Sequence, residues 1–131
     1  MQSKIINPWT WQDQFGFVQG HEVQAAQRVL YCAGQLSTDA DGRPIHAGDM
    51  AAQIRQALDN VEQVLHASGY TLANVVRLNY YTTDVDQMLA NWGVLMERLS
   101  TSGCRCTSTL LGVTRLAYPE MLIEIEATAM K

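Results

Sequence analysis

Hydrophobic and polar positions alternate along the last part of the chain, over residues 122–130. Successive side chains of a strand point to opposite faces, so this pattern predicts a strand with two different faces. The apolar face consists of Ile123, Ile125, Ala127 and Ala129, and we expect it to pack on the core. The other face carries Glu124 and Glu126 among Leu122, Thr128 and Met130. Two interpretations of the acids stay open: a solvated sheet face, which is usual for charged residues, or a ligand cavity.

Two amphipathic helices are predicted in the middle of the chain. Asp49 can cap the first, and Gly69 ends it. Its apolar stripe recurs at helical spacing in Ile54, Leu58, Val61 and Leu65, with Met50, Ala57 and Val64 beside it and Arg55, Asp59 and Glu62 facing out. The second helix opens at Asp84 or Asp86 and ends near Ser100. Its predicted apolar side consists of Val85, Leu89, Trp92, Met96 and Leu99.

Further strands are predicted at residues 29–33, 75–83 and 104–113, and Asp41-Gly42 signals a turn. The expected order is strand, strand, helix, strand, helix, strand, strand. Two helices on one face of a mixed sheet make an α+β layer. The other sheet face keeps apolar residues and has no helix to cover it, so burial by other copies of the chain predicts a homo-oligomer.

Composition indicates an ordinary globular chain. A chain of 131 residues has the length of one domain, which we place at 1–131. Of its residues, 47% are hydrophobic and 17% are charged. No apolar run reaches the ~18 residues that a membrane helix needs. The N-terminus shows no secretory signal, so we expect a cytoplasmic protein without a membrane partner. A net charge of −4 with scattered cations argues against nucleic acid as a partner.

The three cysteines are expected to be reduced thiols. Cys104 and Cys106 would lie on one face of a strand, which is compatible with a soft-metal or redox pair. However, His21, His46 and His66 are dispersed and supply no second pair of zinc ligands. We therefore favour buried thiols that act as small hydrophobic groups, and no metal site.

Six segments, in this order and spacing, resemble the RidA (YjgF) family, which has also been labelled L-PSP endoribonuclease or translation inhibitor. They are Gly-Phe-Val-Gln-Gly at 16–20, Ala-Gly-Gln at 33–35, Ala-Ala-Gln-Ile-Arg-Gln-Ala-Leu-Asp-Asn-Val at 51–61, Val-Val-Arg-Leu-Asn-Tyr-Tyr-Thr-Thr-Asp at 75–84, Gly-Val-Thr-Arg-Leu at 112–116 and Ile-Glu-Ile-Glu-Ala at 123–127. The resemblance covers nearly the whole chain. It implies a chorismate-mutase-like α+β fold and a homotrimer with three clefts between neighbouring subunits.

The resemblance also implies an activity. Active members hydrolyse reactive enamines or imines, such as 2-aminoacrylate, to a keto acid and ammonia without a cofactor. An arginine on the penultimate strand pairs with the substrate carboxylate in those members. A glutamate on the last strand and backbone groups position the attacking water.

Carried over by position, the family's residues match this chain only in part. The catalytic glutamate falls on Glu124, and the glycine after the early strand falls on Gly34. The arginine stands seven residues before Arg115 of the Val-Thr-Arg-Leu motif, which gives Ser108. The other matches are Phe17 for a tyrosine, Ala33 for a serine and Trp92 for an asparagine.

The serine changes the expected cleft. Arginine holds a carboxylate through two charge-assisted hydrogen bonds, whereas a serine hydroxyl offers one neutral donor. Arg105 lies an odd three residues upstream, so in a regular strand it points to the opposite face about 10 Å away at ~3.3 Å per residue. A bulge, or a residue of a neighbouring subunit, is the alternative source of the charge. Cys106 and Leu110 share the face of Ser108. Together with Phe17 and Trp92 they predict a more apolar and aromatic small-molecule cleft, in which burial raises the pKa of Glu124.

Three functions follow from this combination. The first is a hydrolase of imine- or enamine-type metabolites with atypical specificity, in which Glu124 orders the water. The second is a non-catalytic trimer that binds a small molecule or a partner. Packing at a trimer interface is the alternative role for every one of the predicted site residues. The third, a ribonuclease or translation inhibitor, is disfavoured by the acidic charge balance.

Overall fold

The computed structural model describes residues 1–131 and contains six strands and three α-helices. The strands are β1 (Gln2–Ile6), β2 (Gly20–Gln24), β3 (Val29–Gln35), β4 (Val75–Thr82), β5 (Thr107–Gly112) and β6 (Ile123–Met130). The helices are α1 (Met50–Ala67), α2 (Val85–Ala90) and α3 (Trp92–Thr101). Short 3-10 turns occupy Trp11–Phe15 and Leu72–Asn74.

The main sheet has the strand order β3-β6-β4-β5, and β1 pairs with β2 in a separate two-stranded sheet. β6 runs antiparallel to both of its neighbours, whereas β4 and β5 are parallel. The helices pack on one face of this mixed sheet, so the predicted α+β layer is confirmed. The β1–β2 sheet adds a strand that the predicted order did not contain.

The first helix forms as predicted. The Asp49 side chain accepts a hydrogen bond from the backbone N–H of Ala52 and so caps the N-terminus. The helix residues that the structure buries are Met50, Gln53, Ile54, Ala57, Leu58, Val61 and Leu65. Gly69, with a φ of +78°, follows the last turn, where its left-handed backbone reverses the chain.

The prediction for the second helix is wrong in two respects. The segment forms two helices, α2 and α3, which meet at Asn91. The buried residues are Met88, Leu95 and Leu99, which keep one helical spacing across the break but form a different stripe from the predicted one. Val85 and Leu89, which were predicted on the apolar side, are exposed. Asp84 is the residue that caps the start, since it accepts from the backbone N–H of Gln87.

The last strand alternates as its sequence predicts. Its buried positions are Ile123, Ile125, Ala127 and Ala129, while the intervening residues are half-buried. The strand predicted over 104–113 begins later, because Cys104 and Cys106 lie ahead of β5. These two thiols and Cys32 are buried and unpaired, as predicted.

The sheet face turned away from the helices is uncovered in the subunit. It carries Val29, Tyr31 and Leu111 as exposed large hydrophobic residues beside Glu124 and Glu126. Tyr31 is 78% exposed. We call this face, with those five residues and with Arg77, Asn79, Tyr81, Thr109, Thr128 and Met130, the open face.

Candidate functional site

Glu124 lies directly over the backbone of Gly34 on the open face. The register between β3 and β6 shifts between Cys32 and Gln35, so Gly34 stands at a bulge beside the carboxylate. A Cβ atom at Gly34 would lie 2.8 Å from Cδ of Glu124 and 2.9 Å from its Cγ. Only glycine leaves space for the acid here. Gly34 and Glu124, both predicted as site residues, therefore form one structural unit.

The surroundings of Glu124 favour its protonated form. The side chain is half-buried between β3 and β4. Burial raises the pKa of the Glu124 carboxyl above its ordinary value, and the nearby negative charge of Glu126 raises it further. The sequence predicted the same direction of the pKa shift, but from an aromatic cleft whose residues do not surround Glu124 in the subunit. A carboxyl with a raised pKa is suited to proton transfer nearer neutral pH.

Glu126 has the opposite character. Tyr81 donates its hydroxyl hydrogen to Oε1 of Glu126, and Asn79 donates from Nδ2 to the same oxygen at 2.9 Å. These two hydrogen bonds, with the charge of Arg77, lower the pKa of the Glu126 carboxyl. The hydrogen bond between Tyr81 and Glu126 also raises the pKa of the Tyr81 hydroxyl. The pKa values of Glu124 and Glu126, two acids on one face, are thus shifted in opposite directions.

Sequence reasoning missed this network. Asn79 and Tyr81 share one face of β4, and the register places them opposite Glu126 and Glu124. The alternation of polar and apolar residues in β4 is a signal for that face, but the partner strand cannot be read from it. The Oδ1 atom of Asn79 is buried and has no hydrogen-bond partner within the subunit.

A second group of predicted site residues lies on the helix-packed side of the sheet. Ser108 pairs with Leu78 and Leu110 pairs with Tyr80, both of which are core residues. Trp92, the first residue of α3, stacks edge-on against Tyr80 with 5.4 Å between ring centroids. Ser108, Leu110 and Trp92 therefore lie on the helix-packed side of the sheet, whereas Glu124 lies on the open face.

The segment that carries Phe17 joins this second group. The indole N–H of Trp92 donates to the carbonyl of Phe15 at 2.9 Å, and the N–H of Val18 donates to the carbonyl of Cys106 at 3.0 Å. Phe17 packs edge-on against Trp11 at 5.9 Å. The residues preceding β2 are thereby held along the β5 edge.

A single subunit does not bring the predicted site together. Tyr81 pairs with Glu124, whereas Leu78 pairs with Ser108. Positions 78 and 81 are an odd number of residues apart, so alternation sends the two sets of side chains to opposite sheet faces. We call Gly34 and Glu124 the acid half, and Phe17, Trp92, Ser108 and Leu110 the aromatic half.

Arg105 makes no hydrogen bond or ion pair with Glu124. Its carbonyl contacts Nδ1 of His21 at 2.8 Å, and the residue lines a cavity of about 280 Å³. Phe17 lines the same cavity, but Ser108 and Glu124 do not. Arg105 lies ahead of β5, so the strand alternation used in the prediction does not decide which sheet face it occupies.

A buried glutamine positions the start of β6. Gln53 of α1 donates from Nε2 to the carbonyls of His46 and Glu120 at 3.0 and 3.1 Å. Its Oε1 accepts from the backbone N–H of Leu122 at 2.8 Å. Leu122 lies two residues before Glu124, so this amide ties the helix to the strand that carries the acid. In the sequence, the signal for this role was the position of polar Gln53 within the apolar stripe of α1.

No group of three or more histidine, cysteine, aspartate or glutamate side chains is close enough to hold a metal ion. None of the helices has the length and hydropathy needed to cross a membrane.

Comparison with known proteins identifies the family of this chain. Residues 15–131 match the sequence profile described as Endoribonuclease L-PSP. The chain belongs to that family. A RutC family protein of Pyrococcus horikoshii is 34% identical over 106 residues, which cover 81% of this chain and 82% of the relative.

Solved structures agree with this assignment to the RidA (YjgF) family. A Rid family protein of unknown function from Yersinia pestis is 36% identical, with a TM-score of 0.88 over 100% of both chains. The YjgF protein of E. coli is 26% identical, with a TM-score of 0.72 over 87% of each chain. The predicted family and α+β fold are thus confirmed.

Proposed function

We propose that this protein is a homotrimeric hydrolase of small reactive imine- or enamine-type metabolites, with a specificity unlike that of the standard family deaminase. The observation that supports it most directly is the unit of Gly34 and Glu124. A half-buried carboxyl with a raised pKa stands over a backbone that glycine leaves uncovered. Such a group can take a proton from water and return it within one reaction.

The separation of the two halves supports a site shared between subunits. The aromatic half lies along β5, at one edge of the main sheet, while the acid half lies on the open face. A neighbouring copy that covers the open face with its β5 edge would bring its aromatic half against Glu124. This packing would also bury exposed Tyr31 and Leu111, which favours association.

The proposed reaction balances without a cofactor. The imine nitrogen takes a proton from solvent, and ionised Glu124 accepts a proton from water as the water oxygen bonds to the imine carbon and the C=N electron pair moves to nitrogen. Glu124 then gives its proton to the nitrogen of the resulting carbinolamine, which expels ammonia as its hydroxyl proton passes to solvent and the carbonyl forms. The sum is imine plus water giving a carbonyl compound plus ammonia. Glu124 carries the proton between the two steps.

Ser108, at the position of the family's arginine, is the departure that changes the expected substrate. A serine cannot form the bidentate contact by which arginine holds a carboxylate. In the proposed cleft, Phe17, Trp92 and Leu110 supply apolar surface. We expect a substrate bound mainly by apolar contact, with 2-aminoacrylate a poor one.

The same serine favours a second candidate function, a trimer that binds a small molecule without turnover. In that case the cleft keeps its shape while the loss of the arginine has removed catalysis. The ribonuclease activity named in the family description is the less favoured option, because the open face carries two carboxylates that would repel a phosphate backbone.

Release of keto acid from enzymatically generated 2-imino acids tests the proposal. The panel should include small, aliphatic and aromatic side chains, with Glu124→Gln as the inactive variant and Glu22→Gln as the matched control on β2. We expect faster release from the apolar substrates with the wild type and Glu22→Gln only. Sedimentation equilibrium measures the trimer separately.

Acceleration that survives Glu124→Gln would refute the proposed role of the acid. No acceleration with any imine, in a protein that sediments as a trimer, would favour the binding function. A monomer would refute the shared site.

A further inference from the structure

Cys104 and Cys106 form a pair of thiols in the segment that joins α3 to β5. Both side chains are buried, and the proposed hydrolysis uses neither of them. Because Arg105 alone separates the two residues, their Cα atoms are at most about 7 Å apart, which is the upper limit for a disulfide. A hydrogen bond between the two side chains raises the pKa of the Cys104 thiol and lowers the pKa of Cys106. The two sulfur atoms are therefore neighbours.

The surroundings of the pair stabilise one thiolate. The S–H of Cys104 donates to the sulfur of Cys106, and the backbone N–H groups of Cys106 and Leu78 donate to it as well. The positive charge of Arg77 also lowers the pKa of Cys106, whereas burial opposes this shift. Cys32 lacks these partners, and burial alone raises the pKa of its thiol. The pair thus differs chemically from the third cysteine of the chain.

A cavity open to solvent gives small molecules access to the pair. Cys104 lines this cavity, whose volume is about 280 Å³. A water molecule occupies about 30 Å³ in the liquid, so hydrogen peroxide fits beside Cys104. Cys106 does not line the cavity, and an oxidant therefore meets Cys104 first. Cys32 lines none of the cavities of the structure.

We propose that Cys104 and Cys106 are an oxidation site, at which a hydroperoxide converts the two thiols to a disulfide. The pair combines access from the cavity with a second sulfur that resolves the first oxidation product. The bond would constrain the segment leading into β5, where the carbonyl of Cys106 accepts from the N–H of Val18 at 3.0 Å. This site is separate from Glu124 and does not depend on the proposed hydrolysis.

The oxidation balances with the hydroperoxide as the only co-reactant. Transfer of the shared proton to Cys106 leaves Cys104 as the thiolate beside the cavity. Its sulfur attacks one peroxide oxygen, the O–O bond breaks, and the departing hydroxide takes a proton from solvent. The sulfur of Cys106 then attacks the resulting sulfenic acid, so that the S–S bond forms and the S–O bond breaks. Hydroxide leaves with the Cys106 proton, and the sum is two thiols plus hydrogen peroxide giving a disulfide and two waters.

Mass spectrometry of the folded wild-type protein after treatment with hydrogen peroxide tests this site. Free thiols are blocked with N-ethylmaleimide before digestion with trypsin, which cuts after Arg105. A disulfide between Cys104 and Cys106 then joins two peptides that separate on reduction. We expect this linked pair as the main product, with Cys32 blocked as a free thiol. Dithiothreitol, added before blocking, should restore both thiols as it is itself oxidised to its cyclic disulfide.

Single serine variants give matched controls. Cys104→Ser and Cys106→Ser should each abolish the linked peptides, while Cys32→Ser should form them at the wild-type rate. Loss of the remaining thiol in Cys106→Ser should be at least about tenfold slower than oxidation of the pair, because each unit of higher pKa lowers the thiolate fraction tenfold.

Three free thiols after peroxide treatment of the wild type would overturn the proposal. Oxidation of Cys32 as fast as the pair, or a disulfide between two chains in place of the linked peptides, would do the same. The wild-type measurement does not rely on the folding of any variant. It also gives the same answer whether or not the protein hydrolyses imines.

Discussion

Tyr81 lies directly opposite Glu124 in the ladder between β4 and β6, yet it donates its hydroxyl to Glu126. The tyrosine thus reaches diagonally across the sheet and stabilises the charge of the second acid rather than the first. Asn79, which does lie opposite Glu126, donates to the same oxygen. A charge held in this way two residues from Glu124 helps to keep the pKa of Glu124 raised.

The first prediction concerns this coupling. Glu126→Gln removes the negative charge with little change of shape, so the pKa of Glu124 should fall, while burial keeps it above the ordinary value. Carbon-detected NMR of the Glu124 carboxyl measures this titration. Glu22→Gln is the control and should leave it unchanged. An unaltered Glu124 titration in Glu126→Gln would show that the two acids are independent.

Tyr81→Phe tests the other part of the same network. Without the phenolic donor, the pKa of Glu126 should rise toward its ordinary value, because that hydrogen bond is the main cause of its lowering. The carboxyl resonance of Glu126 reports the change. Tyr31→Phe is the matched control, since Tyr31 makes no hydrogen bond to either acid. A Glu126 titration identical in both variants would contradict the assigned hydrogen bond.

The two acids should change stability in opposite directions as the pH varies. The pKa of Glu126 is lower in the folded state than in the unfolded state. Its contribution to the free energy of unfolding is therefore present above the unfolded pKa and is lost as pH falls through the folded pKa. The folded pKa of Glu124 is raised, so the folded state binds more protons and stability falls as pH rises through that interval.

Urea unfolding at fixed protein concentration measures this difference. Near neutral pH, Glu124→Gln should be more stable than the wild type and Glu126→Gln less stable. In acid below both folded pKa values, the pH-dependent part of each difference should disappear. Equal pH dependence in the two variants would contradict the opposite environments of the acids.

Gly34→Ala should displace the Glu124 carboxylate, because the new methyl group would overlap it. If the acid orders water for imine hydrolysis, we expect the rate to fall by about a hundredfold, as misplacement of a catalytic group typically causes. Gly93→Ala is the control, since a Cβ there meets no atom within 4 Å. A crystal structure of Gly34→Ala with Glu124 unmoved would refute the steric argument.

Gln53→Leu should destabilise the fold by about 3 kcal/mol, because it removes the three hydrogen bonds of a buried side chain, each contributing about 1 kcal/mol. Chemical unfolding measures this loss. Gln63→Leu, at an exposed position of the same helix, should change stability by less than about 0.5 kcal/mol. Similar values for the two variants would show that Gln53 does not hold β6 in place.

The sequence by itself determined the elements whose periodicity is strong. The alternation of β6, the stripe and cap of α1, and the family motifs predicted the fold and the family, because local spacing decides which face of an element is apolar. It was less informative for residues 84–101, where the helix is broken at Asn91 and the buried stripe of Met88, Leu95 and Leu99 differs from the predicted one. A continuous helical period cannot reveal such a break.

The tertiary structure alone decided which residues meet. Alternation within one strand shows that Ser108 and Leu110 share a face, but only the register across β5, β4 and β6 shows that Glu124 lies on the other one. The bulge that places Gly34 under Glu124, and the diagonal bond from Tyr81 to Glu126, likewise depend on strand pairing. Pairing joins residues far apart in the chain, and local sequence patterns contain no direct record of it.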